Sequence, residues 1–261
     1  MEALVSRRRV LGGSLAGLMA VPFATLGAGA TGKDMAPACA PGAGKCSWTL
    51  TKPKAAARKE FQEFILHELA GACGKLVPDR SGITVTLQEA DTFSNATIKT
   101  GSGDRPVDAV LEIAMPCIYG AVAKVSDYLS SHCDYVQGWR ITSDLVYDAS
   151  APVPLGARSS LPSVLAFIRR LDGTTPEHFE RKWSMHAEQA KREGGGANGR
   201  YEQNKIVEPI TPTAWVVNGY SQLYMRNFIP SIGSHGAAPK GDDNFEEWPP
   251  LIVQGYAYRV L

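Results

Sequence analysis

The residues best placed for chemistry are Phe179-x-x-x-Trp183-x-x-His186-Ala187. An apolar run, 163–170, leads into an Asp172-Gly173 turn and then a helix start at Thr175-Pro176. Positions i, i+4, i+7 and i+8 share one helix face, so these four side chains are expected to point where the helix packs. Imidazole takes and gives a proton near neutral pH, which suits enolisation, ring closure or isomerisation. Beside Phe179 and Trp183, His186 is expected to face an apolar, ring-shaped space, with burial lowering its pKa. The alternative is a buried structural histidine. Tyr201 and Asn204, on the following strand, can each hold a carbonyl or phenol oxygen. They differ in parity, so a regular strand sends them to opposite faces.

Other polar groups stand out against apolar patterns. Glu68 interrupts the stripe Phe61, Ile65, Leu69, where a carboxylate would act as an acid of raised pKa or pair with an arginine. Asp108 and Glu112 share one strand face, where an interface network is the favoured reading. The histidines show no metal-ligand spacing, and the five cysteines contain no C-x-x-C. Cys39 and Cys46 are the best pair for a disulfide, while Cys73 and Cys117 read as buried structural thiols.

The elements that position these groups come in two similar sets. The first set holds strands at 46–51, 83–88 and 107–114, helices at 54–73 and 118–131, and an extended segment over 135–147. The second holds strands at 163–170, 201–207, 214–223 and 251–261, a helix from Pro176 to about residue 192, and a short helix near Tyr224. Thr175 is the expected N-cap with Pro176 at the first helical position. Three stretches align in order: 107–113 with 217–223, 136–139 with 253–256, and Phe61-x-x-x-Ile65-x-x-Glu68-Leu69 with Phe179-x-x-x-Trp183-x-x-His186-Ala187. The expected fold class is therefore α+β. Two tandem ferredoxin-like units, 46–150 and 160–261, would pack sheet to sheet as an intramolecular pseudo-dimeric α+β barrel.

Residues 1–30 read as an export signal. Ser6-Arg7-Arg8-Arg9-Val10-Leu11 resembles the twin-arginine pattern, an uncharged run follows, and Ala28-Gly29-Ala30 offers a cleavage site. Residues 31–45 read as a flexible lead-in. The expected location is periplasmic or secreted, with no stable membrane span after cleavage. With 27 basic and 26 acidic side chains and no basic stripe, nucleic acid is not an expected partner.

The second half resembles the EthD-like proteins of the dimeric α+β barrel superfamily. The likeness rests on Phe179, Trp183, His186 and Ala187, on Arg200-Tyr201-x-Gln203-Asn204, and on Asn218-Gly219-Tyr220-x-Gln222-Leu223, where the family often shows Asp-Gly-x-x-Glu. The first half resembles a diverged copy through Asp108-Ala109-x-x-Glu112. The resemblance implies a barrel acting on a small hydrophobic, aromatic or lactone-like molecule. The expected function is a cofactor-independent isomerase, cyclase or lyase working by His-mediated proton transfer. His186, Tyr201, Asn204 and Glu68 would be catalytic, and Phe179, Trp183 and Gln222 would contact substrate. A homo-oligomer is compatible with this scheme. Dye-decolourising peroxidases share the superfamily and twin-arginine export, so a haem or oxygen-dependent oxidoreductase is the alternative. Haem is not favoured, because the Gly-x-x-Asp-Gly motif lacks its first glycine before Asp172-Gly173. A non-catalytic binding module is the third reading.

Overall fold

Alternation along the strands decides the architecture. In β1 (Gly44–Thr51), Cys46, Trp48 and Leu50 enter an apolar cluster beneath the helices, while Lys45, Ser47, Thr49 and Thr51 occupy the opposite face. The same split runs through β5 (Ala109–Met115), where Leu111 and Ile113 face the helices and Val110 and Glu112 face away. Sheets with two demanding faces need a cover on each, and here the second face is covered by closure.

The computed structural model describes residues 44–89, 97–100, 103–115, 120–192, 198–212, 216–226 and 251–261. The export signal, most of the lead-in, Cys39, Cys117 and His235 lie outside them. The remaining elements are α1 (Arg58–Phe64), a π-helical turn (Ile65–Leu69), α2 (Ala70–Leu76), β2 (Gly82–Gln88), β3 (Thr97–Thr100), β4 (Gly103–Pro106), α3 (Val122–Ser130), β6 (Tyr135–Asp148), β7 (Ser163–Ile168), α4 (Pro176–Arg192), β8 (Asn198–Pro209), β9 (Gly219–Met225) and β10 (Leu251–Arg259). Eight strands close an antiparallel barrel in the order β1-β5-β2-β10-β7-β9-β8-β6. Within that ring, β6-β1-β5-β2 and β10-β7-β9-β8 each follow the ferredoxin-like order, with the fourth strand beside the first and the third beside the second. The halves join where β2 pairs with β10 and β6 with β8, which leaves no free sheet edge at either junction. The fold is the ferredoxin-like α+β barrel that the resemblance implied.

The stretch 58–76 is one continuous helical segment. Phe61, Ile65, Leu69 and Cys73 recur every four residues and are all buried. On a regular α-helix that spacing drifts about 40° per step. The π turn winds more slowly and absorbs part of the drift, which keeps the four on the sheet. At α4, Thr175 caps as expected: its Oγ1 accepts the His178 backbone N–H at 3.2 Å. Two tryptophans set the helix–sheet spacing. Trp48 occupies the place a side chain at Gly138 would take, and Trp183 does the same at Gly219. A bulkier residue at either position would push a buried ring off the sheet.

Several expectations are corrected. Tyr224 and Met225 are the end of β9, and the short helix expected to start near Tyr224 would continue into 227–250, outside the described residues. The β3–β4 hairpin was not foreseen. Cys46 is a free, buried thiol on the helix-facing side of β1, and its expected bridge partner, Cys39, lies outside the described residues. Burial pushes the Cys46, Cys73 and Cys133 thiols up to about 12, which makes them poor nucleophiles.

Candidate functional site

The structure divides the predicted site residues between two faces of the sheet. Phe179 and Trp183 are buried between α4 and the outer face of the barrel, with ring centroids 5.5 Å apart. Tyr201 lies under the same helix. Its hydroxyl accepts a 2.8 Å bond from Gln203 Nε2, which also donates to the Trp183 carbonyl at 2.9 Å. These contacts hold the helix to the strand, and burial raises the Tyr201 pKa. Asn204 and Gln222 are on the other face, inside the barrel. The difference in parity between Tyr201 and Asn204 therefore holds, and the two do not share a site.

His186 is exposed, contrary to the expected burial. The stripe centres on Trp183 and Ala187, and His186 is offset from Trp183 by about 60° on the helical wheel. Its ring reaches the edge of Tyr201, centroid to centroid 6.2 Å, and its groove is lined by residues of α4 itself, among them Lys182, Met185 and Gln189. Glu68 is exposed at the matching position of the first half, on the π turn, so it is no buried acid. Glu68 and His186, paired in the sequence alignment, are thus both exposed.

Inside the barrel the chain builds what the sequence reading missed. Lys45, from β1, donates to Glu112 Oε1 at 2.6 Å, Glu202 Oε1 at 3.0 Å and Asn204 Oδ1 at 3.1 Å. Tyr220 Oη donates to Glu112 Oε1 at 2.6 Å. Gln222 Nε2 stands 3.4 Å from Glu112 Oε2. Arg200 continues the chain of charges to Glu202 at 2.7 Å and Asp148 at 2.6 Å. Side-chain exposure climbs along this path, from 3% at Glu112 through 7% at Glu202 and 15% at Lys45 to 30% at Arg200 and Asp148. The network therefore runs from the barrel interior to one mouth.

Position explains the partners. Register places Ser47 beside Glu112, Asn204 beside Tyr220, and Glu202 beside Gln222. These are inward positions, two residues apart along each strand. Burial alone would lower the Lys45 pKa, but the charges of Glu112 and Glu202 outweigh it and raise the value. Burial alone would raise Glu202, but Lys45 and Arg200 bring it down to about 2. Tyr220 is pushed well above its ordinary value by burial and by the Glu112 charge. At neutral pH Lys45 is thus an ammonium, Glu202 a carboxylate and Tyr220 a phenol.

Glu112 is unevenly held. Both strong donors, Lys45 and Tyr220, converge on Oε1, and among the described residues Oε2 has only the long contact to Gln222. Asn204 is uneven too: its Oδ1 takes bonds from Lys45 and from Ser143 Oγ at 2.6 Å, while its Nδ2 is buried without a partner among the described residues. Asp108, by contrast, is structural. Its carboxylate holds the Lys52 backbone N–H at 2.9 Å and Arg58 Nε at 3.0 Å, fixing the start of α1. Among the described residues no group of three or more His, Cys, Asp or Glu side chains is arranged to hold a metal ion.

One sequence signal could have found the network: charged residues at inward strand positions, Lys45 in Lys-x-Ser-x-Thr and Glu202 in Glu-x-Asn. Lys45 is the last residue of the stretch that reads as a flexible lead-in, and the structure makes it part of β1.

No family model and no curated protein matches the chain. Among solved structures, an anthrone oxidase-like protein aligns over 84% of this chain and 92% of its own, at 7% identity and TM-score 0.47. A protein named as a putative monooxygenase from Lactobacillus acidophilus NCFM aligns over 83% and 93%, at 9% identity and TM-score 0.38. Identities this low transfer no chemistry to this chain.

Proposed function

We propose that the chain is an enzyme that moves a proton on a small hydrophobic molecule bound at the polar mouth of the barrel, an isomerase, cyclase or lyase type of reaction. The observation that carries this reading is Glu112. It is a carboxylate buried in the barrel, with one oxygen accepting hydrogen bonds from both Lys45 and Tyr220 and the other lightly held. The first oxygen fixes the group in place, and the second is the one able to take a proton and return it. Burying such a network is costly, because desolvation of the ions commonly exceeds their mutual attraction. A barrel selected for packing alone would fill this end with uncharged side chains, as the cluster of Val110, Trp139, Ile141, Leu165 and Phe167 fills much of the rest.

This moves the acid/base role from His186 to Glu112 and keeps the class of reaction. The test is deuterium incorporation at the carbon beside the carbonyl of 2-tetralone in D2O, followed by NMR. The expected result is exchange faster than buffer with the native protein and with His186→Ala, and loss of that acceleration with Glu112→Gln. Exchange that survives Glu112→Gln but not His186→Ala would return the site to α4.

One observation favours a second, non-catalytic reading. Lys45 and Glu112 belong to the first half, Glu202, Asn204, Tyr220 and Gln222 to the second, so every bond between these sets also ties the halves together. If 2-tetralone binds and no exchange is accelerated, the barrel is a binding module. Export through the twin-arginine route is part of the proposal; replacing Arg7 and Arg8 with lysine is expected to keep the protein in the cytoplasm, as cell fractionation would show.

A further inference from the structure

We infer that the polar mouth selects uncharged ligands carrying a hydrogen-bond acceptor, such as an aryl ketone, and rejects carboxylates of the same shape. The inference rests on the barrel interior being the ligand site and names the class of ligand it takes.

The charges come first. Three carboxyl groups, Glu112, Glu202 and Asp148, face two cations, Lys45 and Arg200. At formal charges the sum is 2 − 3 = −1. The network presents no net positive charge to an incoming anion. The cations are also already engaged. Lys45 has three N–H donors and three acceptors around it, Glu112, Glu202 and Asn204. Arg200 is committed on two nitrogens to Asp148 and Glu202, and its guanidinium lies 6.0 Å from the Tyr224 ring centroid. A carboxylate ligand would have to displace one of these pairs or sit unpaired beside like charges, either of which is costly in a buried setting.

The unspent hydrogen bonds point the same way. Asn204 is fully buried, and two donors on its oxygen fix the amide so that Nδ2 turns away from Lys45. Among the described residues that NH2 group has no partner, and neither does the buried hydroxyl of Ser163, which register places beside Tyr224 on the interior face. Buried donors without partners cost free energy, and a ligand oxygen would satisfy them. A carbonyl oxygen meets the Asn204 donor without bringing a charge.

The test is isothermal titration of the native protein with a matched pair, 2-acetonaphthone and 2-naphthoate. The ketone is expected to bind at least about tenfold more tightly, the equivalent of one buried hydrogen bond or one mispaired charge. Asn204→Ser, checked for an unchanged circular dichroism spectrum, is expected to erase most of the ketone's advantage. Naphthoate binding as tightly as the ketone, with either affinity changed by Glu112→Gln, overturns the selectivity and leaves the interior as the site. Binding of neither compound, or binding indifferent to both Glu112→Gln and Asn204→Ser, overturns the interior site itself and the selectivity with it.

Discussion

The two ends of the barrel interior are built from the same strands and differ in charge. At one end Val110, Trp139, Ile141, Leu165, Phe167, Leu251 and Val253 interlock as hydrocarbon, and the polar groups buried beside Val110, among them Thr49, Thr86 and Gln137, are uncharged. At the other, Lys45, Glu112, Glu202, Asn204 and Arg200 bury charge. Tyr220 belongs to both: its ring is 4.8 Å from that of Phe167, and its hydroxyl reaches Glu112. The apolar end shows what closure needs. Branched and aromatic side chains can fill the interior of this barrel, so charge is not required merely to fill the polar end.

Single changes at the two ends are expected to cost similar stability and to part in function. Phe167→Ala opens a cavity and should cost about 3–5 kcal/mol. Lys45→Met strands two buried carboxylates and should cost about 3–5 kcal/mol. Both are read from urea unfolding. Only Lys45→Met is expected to abolish binding of 2-acetonaphthone; loss in both would blur the distinction between the ends.

Converting the polar end into a second apolar end is the sharper experiment. Lys45→Met, Glu112→Leu and Glu202→Met together should leave the barrel as stable as the native protein or more so, by up to about 4 kcal/mol, with ligand binding gone. Marked destabilisation of the triple variant would mean the network is needed for the fold.

Acid separates the ends as well. The Glu202 pKa lies below its ordinary value of 4.5, at about 2, so its ionised form is favoured by folding. Its contribution is complete above pH 4.5 and is lost as pH falls toward 2. The urea midpoint should drop over that window in the native protein and drop less in the triple variant, which lacks the group. A pH profile identical in both would show that other carboxylates dominate.

The smallest effects belong outside the barrel. His186→Ala and Glu68→Ala alter exposed positions and should change stability by less than about 0.5 kcal/mol and leave ketone binding unchanged. A loss of binding in His186→Ala alone would place function on α4.

Much of the fold was legible along the chain. The β-branched alternation of 83–88, the Thr175 cap with Pro176, and the repeated order of elements led to two ferredoxin-like halves and one barrel. The helical stripe Phe179, Trp183, Ala187 was also correct, because 3.6-residue periodicity is a local property. His186 was not resolved by it, since a residue about 60° off the stripe centre is buried or exposed according to how far the sheet extends beneath it.

The candidate site was legible only in pieces. Asn204 and Gln222 were named, and Glu112 was read as part of a network between the halves, which its bonds to Tyr220 and Gln222 bear out. Their meeting with Lys45 was out of reach. Lys45 and Glu202 are 157 positions apart and become neighbours only because β6 pairs with both β1 and β8. Sequence alone determined which residues each strand sends inward, because side chains alternate with a period of two. Closure and register decided which of those inward residues face one another. These are set by the packing of the whole ring, and they turned scattered charges into a network with one lightly held carboxylate oxygen.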